Sequence, residues 1–220
     1  MFLLATIIIL SYLVGSIPTS IIISKLSHGI DIREHGSGNA GGTNVMRVLG
    51  WKKGLLVIIL DALKGAVAVI FIARLHYGGL PFQNVSPFDD FTLVQIIAGI
   101  AAVIGHIWTI FAGFRGGKGI ATALGMLIMI VTVDMLVALG IFILVVSISR
   151  YVSLGSILAA LSVPLTLIFR ENILHDHIQS YGTLLPFVAA VSLLVVFTHR
   201  KNVMRLINGT ESKISFKKKK

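Results

Sequence analysis

Long apolar runs separated by short polar stretches dominate the pattern along this chain of 220 residues. Residues 2–23, 55–73 and 184–197 carry few or no charged side chains. Runs of this length, coiled as helices, match the roughly 30 Å hydrocarbon core of a bilayer. The pattern predicts membrane helices near 2–24, 54–74, 92–112, 119–133, 134–149, 154–170 and 183–198. The stretch 119–149 is unbroken over 31 residues. As one helix it would run about 46 Å at 1.5 Å per residue, too long for one span and short for two. The N-terminal run lacks a basic leader region and a small-residue cleavage pattern, so it reads as a retained first span.

Charge decides how that stretch divides. Segment 25–53 carries Lys25, Arg33, Arg47, Lys52 and Lys53, and segment 113–118 carries Arg115 and Lys118. Segment 75–91 has no lysine or arginine but has Asp89 and Asp90, and the tail from 199 is strongly basic. Basic loops face the cytoplasm, which puts 25–53, 113–118 and the tail inside and 75–91 outside. Only two spans across 119–149 keep the tail inside, with Asp134 at a tight external turn. The expected fold is therefore an all-α polytopic membrane helix bundle. It has seven transmembrane helices, an external N-terminus and a cytoplasmic C-terminus. Arg74 and Arg170 fall at external ends, where their stems can snorkel. No internal repeat or soluble domain is visible: 1–220 reads as a single membrane domain, with 199–220 as its basic cytoplasmic tail.

Composition agrees. The chain is 55% hydrophobic and 13% charged, against about 25% charged in soluble domains. It has no cysteine, which removes disulfides, thiolate metal sites and cysteine nucleophiles. The net charge of +10 reads as loops facing anionic lipid and anionic substrate, not nucleic acid. The terminal lysines Lys217–Lys220 read as a lipid-attracting tail. No His/Asp/Glu grouping has metal-ligand spacing, and no cofactor is expected.

Three constellations carry chemistry. The first runs from His35 to Asn44, followed by Arg47, with Gly36, Gly38, Gly41 and Gly42 inside seven residues. Such glycines let a backbone approach a ligand closely. Ser37, Asn39, Thr43 and Asn44 add donors, and an ensuing helix would aim free N–H groups at an anion. The Gly-Lys-Ser/Thr of a Walker A loop is missing. The second joins Gly105, His106, Ile107 and Trp108 to the run Phe114–Thr122, where Arg115 and Lys118 flank Gly116 and Gly117, and Gly119 follows. A lysine there supplies a point charge to a phosphate beside backbone donors. The third is His199, Arg200, Lys201 and Asn202, with Arg205 and then Gly209, Thr210 and Glu211. His199 and Asn202 share a helix face. His199 is open to three readings: hydrogen-bond donor, general acid or base, and interfacial anchor.

Asp61 and Lys64 lie one turn apart inside the second span, where charges are costly and usually paired or functional. A structural pair and a catalytic pair are both open. Ser156 opens the sixth span and either donates to a ligand or caps the helix. No Gly-x-Ser-x-Gly elbow is present. The His-x-x-x-x-Asp spacing of soluble acyltransferases is also missing: five residues after His35 stands Ala40, and five after His106 stands Phe111.

Together these segments resemble the bacterial acyl-phosphate:glycerol-3-phosphate acyltransferase family. The matching residues are 37–44, 61–65, 105–122, 153–156 and 199–211, in the family's order and across nearly the whole chain. Where the family usually has alanine this chain has Gly42, an exchange between small residues expected to be immaterial. The resemblance implies transfer of a fatty acyl group from acyl phosphate to the 1-hydroxyl of sn-glycerol 3-phosphate. The products would be 1-acyl-sn-glycerol 3-phosphate (lysophosphatidic acid) and phosphate, an initiating step of phospholipid biosynthesis in the bacterial cytoplasmic (inner) membrane.

The resemblance implies Ser37, Lys118, His199 and Asn202 as catalytic residues. Substrate contacts would come from Gly38, Asn39, Gly41, Thr43, Asn44, Arg47, Gly116, Gly117, Gly119 and Ser156. Asp61, Lys64, His106, Arg205 and Glu211 would support them. The partners it implies are the two substrates, membrane lipid and a soluble acyl-phosphate-forming enzyme docking on the basic face. The rival readings are a membrane transporter or exchanger of a phosphorylated metabolite and a lipid-binding scaffold. The first needs cations near the midplane and inverted repeats. The second does not need so many glycine-rich sites.

Overall fold

Two breaks in the apolar pattern shape the helices. In the computed structural model, which describes residues 2–76 and 88–213, the first run is not one helix but two. Helix α1 (Phe2–Gly15) ends before Pro18, and α2 (Thr19–His28) begins after it. Proline lacks the N–H that would continue the ladder, and its own carbonyl takes the Ile22 N–H at 3.0 Å. The second break is Val131, with φ −131° and ψ 60°. It divides the 119–149 stretch into α6 (Ile120–Ile130) and α7 (Thr132–Ser149), three residues earlier than the sequence suggested.

The remaining helices follow the apolar runs, with two short amphipathic ones added. These are α3 (Gly42–Leu49), α4 (Trp51–Val67), α5 (Asp90–Ile107), α8 (Val152–Asn172), α9 (Tyr181–Thr198) and α10 (Arg200–Ile207). Helix α4 continues through a widened turn over 68–72 and a tight one over 73–75. The described residues contain no strand. Six helical stretches are long and apolar enough to cross a membrane: Leu3–His28, Trp51–Leu75, Asp90–Ala112, Thr132–Ser149, Val152–Asn172 and Tyr181–Thr198. Helix α6 is apolar but has 11 residues. Most of segment 75–91, and Lys217–Lys220, lie outside the described residues.

The chain divides into two compact units, Met1–Ser86 with Asp90–Ile130, and Pro87–Asp89 with Val131–Lys220. In the first unit, small residues set the helix spacing. A Cβ on Gly15 would strike the Ala102 backbone, and one on Gly105 the Tyr12 carbonyl, so α1 and α5 touch backbone to backbone. Gly65 against Thr122 and Gly125 against Ala62 do the same for α4 and α6. Such close approach is how helices pack where lipid is as apolar as leucine. Around these crossings Ile7, Ala68, Val94, Ala98 and Ala102 form a core.

In the second unit, α7, α8 and α9 pack in sequence. Asp134 is fully buried in the first turn of α7 and accepts from Arg170 Nη1 at 2.9 Å, while Arg170 Nε donates to Asp176 at 2.8 Å. Arg170 is thus half of an ion pair rather than a topology signal.

Candidate active site

The first glycine-rich segment is a loop wound around one buried side chain. Asn44, in the first turn of α3, is 3% exposed. Its Nδ2 reaches the carbonyls of His35, Ile32 and Asn39 at 2.9, 3.1 and 3.1 Å, and its Oδ1 accepts from the Ser37 N–H at 2.8 Å. The sequence placed Asn44 among the ligand donors; the structure turns its amide inward, where it shapes the loop. Gly38 sits at φ +71°, a left-handed conformation glycine adopts without a Cβ penalty. The consequence is outward: Ser37, Thr43 and Arg47 are exposed and Asn39 half-exposed.

Gly42 corrects another expectation. A Cβ there would lie 2.8 Å from the Gly54 carbonyl oxygen and press on Ile58. The exchange with alanine is therefore not immaterial, because α3 and α4 approach more closely than a methyl group allows.

The second loop is zipped to the end of α5. The last carbonyls of a helix lack intrahelical partners, and here the returning chain supplies them. Gly116 N–H donates to Ile107 at 3.0 Å and Gly117 N–H to His106 at 3.1 Å. Gly119, at φ +77°, then turns the chain into α6. Lys118 and Arg115 are exposed. Among the described residues, no group pairs with the charged ends of Lys118, Arg115 or Arg47.

The two loops are stitched together. Arg33 Nη1 donates to the Ala112 carbonyl at 2.8 Å, while Nε and Nη2 grip Asp31 at 3.0 and 2.7 Å. The Arg33 hydrogen bonds hold the Asp31 carboxyl down to about 2, so this fork stays charged and aimed. Closer in, a Cβ on Gly117 would lie 2.8 Å from the Ala40 carbonyl, so the loops meet backbone to backbone. Beneath them, Asp61 Oδ1 accepts from Lys64 Nζ at 2.7 Å and from the Thr19 hydroxyl, with His106 Nδ1 at 3.5 Å. Asp61 and Lys64 are 1% and 5% exposed. The pair left open by the sequence is thus a buried ion pair inside a candidate span, with a histidine beside it.

In the second unit the third constellation is organised by Glu211. Its Oε1 accepts from Ser153 at 2.7 Å and Asn202 Nδ2 at 2.9 Å, and its Oε2 from Arg205 Nε at 2.7 Å. Hydrogen bonds from Asn202, Arg205 and Ser153 lower its carboxyl to about 2. His199 Nδ1 sits 2.8 Å from the Val195 carbonyl, an acceptor, so Nδ1 is the nitrogen that donates there. Ser156 donates back to Val152 at 3.0 Å, one turn away, and does not cap the helix start. Ser153, which the sequence did not single out, is the serine on Glu211. No local signal could find it, because its partner lies 58 residues on.

Comparison with known proteins decides the assignment. The family model for glycerol-3-phosphate acyltransferase matches residues 5–209. The chain belongs to the glycerol-3-phosphate acyltransferase family. Among curated members, the glycerol-3-phosphate acyltransferase of Chlorobaculum tepidum is 47% identical, over 97% of each chain. That of Pelodictyon phaeoclathratiforme is 46% identical over 98% of each. Among solved structures, this family member is similar to PlsY (YgiH), an integral membrane glycerol 3-phosphate acyltransferase. Its glycerol 3-phosphate form has 34% identity over 96% of each chain and a TM-score of 0.68. Its lysophosphatidic acid form gives 33% identity and the same score. Like that neighbour, this acyltransferase family member is a multi-pass membrane protein.

Proposed function

We propose that this chain transfers a fatty acyl group from acyl phosphate to the 1-hydroxyl of sn-glycerol 3-phosphate. The observation that carries the reading is the pair of glycine loops, stitched together by Arg33 and by Gly117 on Ala40, with Lys118 and Arg47 unpaired beside them. Cations with no protein partner next to open backbone suit a substrate that brings its own negative charge. The neighbour's glycerol 3-phosphate and lysophosphatidic acid forms supply the same substrate and product class.

The step is a direct displacement. The glycerol oxygen forms a bond to the acyl carbonyl carbon, the bond from that carbon to the phosphate oxygen breaks, and inorganic phosphate leaves. Phosphate is already a good leaving group, so no covalent acyl-enzyme is needed. Ser37, Asn39, Thr43, Lys118 and the glycine backbone hold acyl phosphate and neutralise charge developing on the carbonyl and leaving oxygens. The family resemblance assigns glycerol 3-phosphate to Arg47 of the first unit and to His199, Asn202 and Ser156 of the second. The hydroxyl proton goes to His199 Nε2 or to a substrate phosphate oxygen. Glu211, Arg205, Asp61, Lys64 and His106 support these groups, and the chain works as one acyltransferase domain.

We place the chemistry on the cytoplasmic face of the bacterial inner membrane, with seven membrane helices, N-terminus out and C-terminus in. The basic segments support this orientation. Helix α6 is about 16 Å long at 1.5 Å per residue. It counts as the fourth helix because it packs on α4 and α5, and irregular backbone at its ends is tolerated where protein covers it. Single cysteines introduced into this cysteine-free chain, labelled from either side, test that count. The activity is tested with purified protein in detergent, acyl phosphate and glycerol 3-phosphate. Release of phosphate that depends on glycerol 3-phosphate is expected, and its absence rejects the reading in favour of an exchanger or scaffold.

A further inference from the structure

The buried ion pair under the glycine loops is placed where it touches the reaction indirectly. Asp61 is the meeting point of three helices. It takes Lys64 from its own helix α4, the Thr19 hydroxyl from α2 just past the proline break, and His106 Nδ1 from the last turn of α5. If stability within the bilayer were its only task, Lys64 would suffice as partner. The histidine adds a second connection. With Nδ1 turned to the carboxylate, the other edge of the ring faces the loop, and a Cβ on Gly117 would strike His106 Nε2.

His106 therefore holds Gly117 twice: its carbonyl accepts the Gly117 N–H at 3.1 Å, and its ring lies against the Gly117 Cα. On the other side of Gly117 stands the Ala40 carbonyl of the first loop. The residue that follows is Lys118. A small hollow opens at this junction, lined by Thr19, Lys64, His106, Gly116, Gly117 and Ala40.

We propose that His106, oriented by Asp61, is a positioning residue that sets where Lys118 and the Gly116–Gly117 backbone meet acyl phosphate. This rests on the reading of the loop as the acyl-phosphate site. A lysine on a glycine-rich loop has many places to be, and one fixed point immediately before it removes most of them. The ring does not touch substrate. Its effect is confined to the loop it braces, so it acts on acyl phosphate and leaves glycerol 3-phosphate recognition alone.

The test compares three variants in detergent-purified enzyme, with each substrate varied separately. His106→Ala is expected to lower kcat/KM for acyl phosphate by about tenfold or more, since a misplacement of the order of 1 Å can cost about a hundredfold. The KM for glycerol 3-phosphate should stay within about twofold. His106→Asn, whose amide nitrogen can take the place of Nδ1, should recover part of the loss. The double variant Asp61→Leu/Lys64→Met removes the charges together, so no lone charge is left in the membrane. It should remain slow toward acyl phosphate, because His106 has lost its carboxylate. A purely structural ion pair would instead let the double variant run at the wild-type rate, and that result overturns the proposal. So does a folded His106→Ala enzyme at full rate, or one whose loss lies equally in the glycerol 3-phosphate KM. If His106→Ala does not fold, the double variant decides. Failure of the parent reading looks different: the wild-type enzyme itself then gives no glycerol 3-phosphate-dependent phosphate release.

Discussion

In the first unit the two cations of the glycine loops, Lys118 and Arg47, stand free, whereas in the second Arg205 is tied to Glu211 and Arg170 to Asp134 and Asp176. Lys118 and Arg47 stand exposed on loops whose backbone is fixed from behind by Asn44, Arg33 and His106. Arg205 and Asn202 are gathered onto Glu211. The contrast separates two uses of charge. A free cation on a braced loop is available to an anionic ligand at little reorganisation cost. A cation spent on a carboxylate orients its neighbours and contributes little net charge of its own.

The contrast can be broken most directly at Lys118. Lys118→Ala should cost about a thousandfold in turnover, the order expected for loss of a main electrostatic contact to the reacting group, while the protein still purifies as a folded species. Retained turnover in phosphate-release assays would remove the free cation from the chemistry.

Glu211 sharpens the other half. Glu211→Gln should reduce turnover by about tenfold to a hundredfold by releasing Asn202 and Arg205, with a smaller effect from Arg205→Ala. Its pH signature follows from the sign of the shift. A carboxyl lowered from 4.5 to about 2 stabilises the folded state in full above its unfolded value and loses that contribution as pH falls through about 2. The difference in thermal midpoint between wild type and Glu211→Gln should therefore be flat from pH 7 to pH 5 and shrink only below about 4.5. A difference that already changes between pH 7 and pH 6 would mean that another group controls the cluster.

Asn44→Asp is the next test by size. It replaces the amide donor facing three carbonyls with an acceptor, at a cost of about 1–3 kcal/mol in stability. The acyl-phosphate KM should rise as the loop loosens. Equal effects on both substrates would argue that the loop serves more than one. The smallest change is expected from Gly42→Ala, where overpacking against α4 should cost about 1 kcal/mol, seen as a modest fall in thermal midpoint with kcat nearly intact.

How legible this was in the sequence depends on how local each feature is. The membrane helices were readable because hydropathy is summed over some twenty residues and single exceptions do not matter. The split of 119–149 was readable from charge sidedness, although Val131 broke the helix and Asp134 turned out buried against Arg170. Pro18 breaks the first run, yet the residues around it are so apolar that hydropathy alone carries the run across it. At the site, Lys118 and Arg47 stood out as charges among glycines, and both prove unpaired. Asn44 could not be assigned correctly because an outward and an inward amide read alike; only tertiary contacts choose. Ser153 and Ser156 lie one turn apart on the same helix start, and the choice between them rests on Glu211, far along the chain. Gly42 looked interchangeable with alanine until α4 was seen lying on it.

Asp61 and Lys64 also bear on how the chain is made. A carboxylate and an ammonium in one membrane segment would each cost roughly 2.5–3.5 kcal/mol at the centre of an inserting helix. Because they sit one turn apart on the same face, with 2.7 Å between Nζ and Oδ1, their neutralisation needs no other helix. The segment can leave the insertion machinery as an almost charge-free cylinder, whatever its neighbours have done by then. Thr19 belongs to a span that precedes this one in the chain, and His106 to a span that follows it. The contact that braces the loop is thus the last to form, and it closes on a carboxylate already held in place.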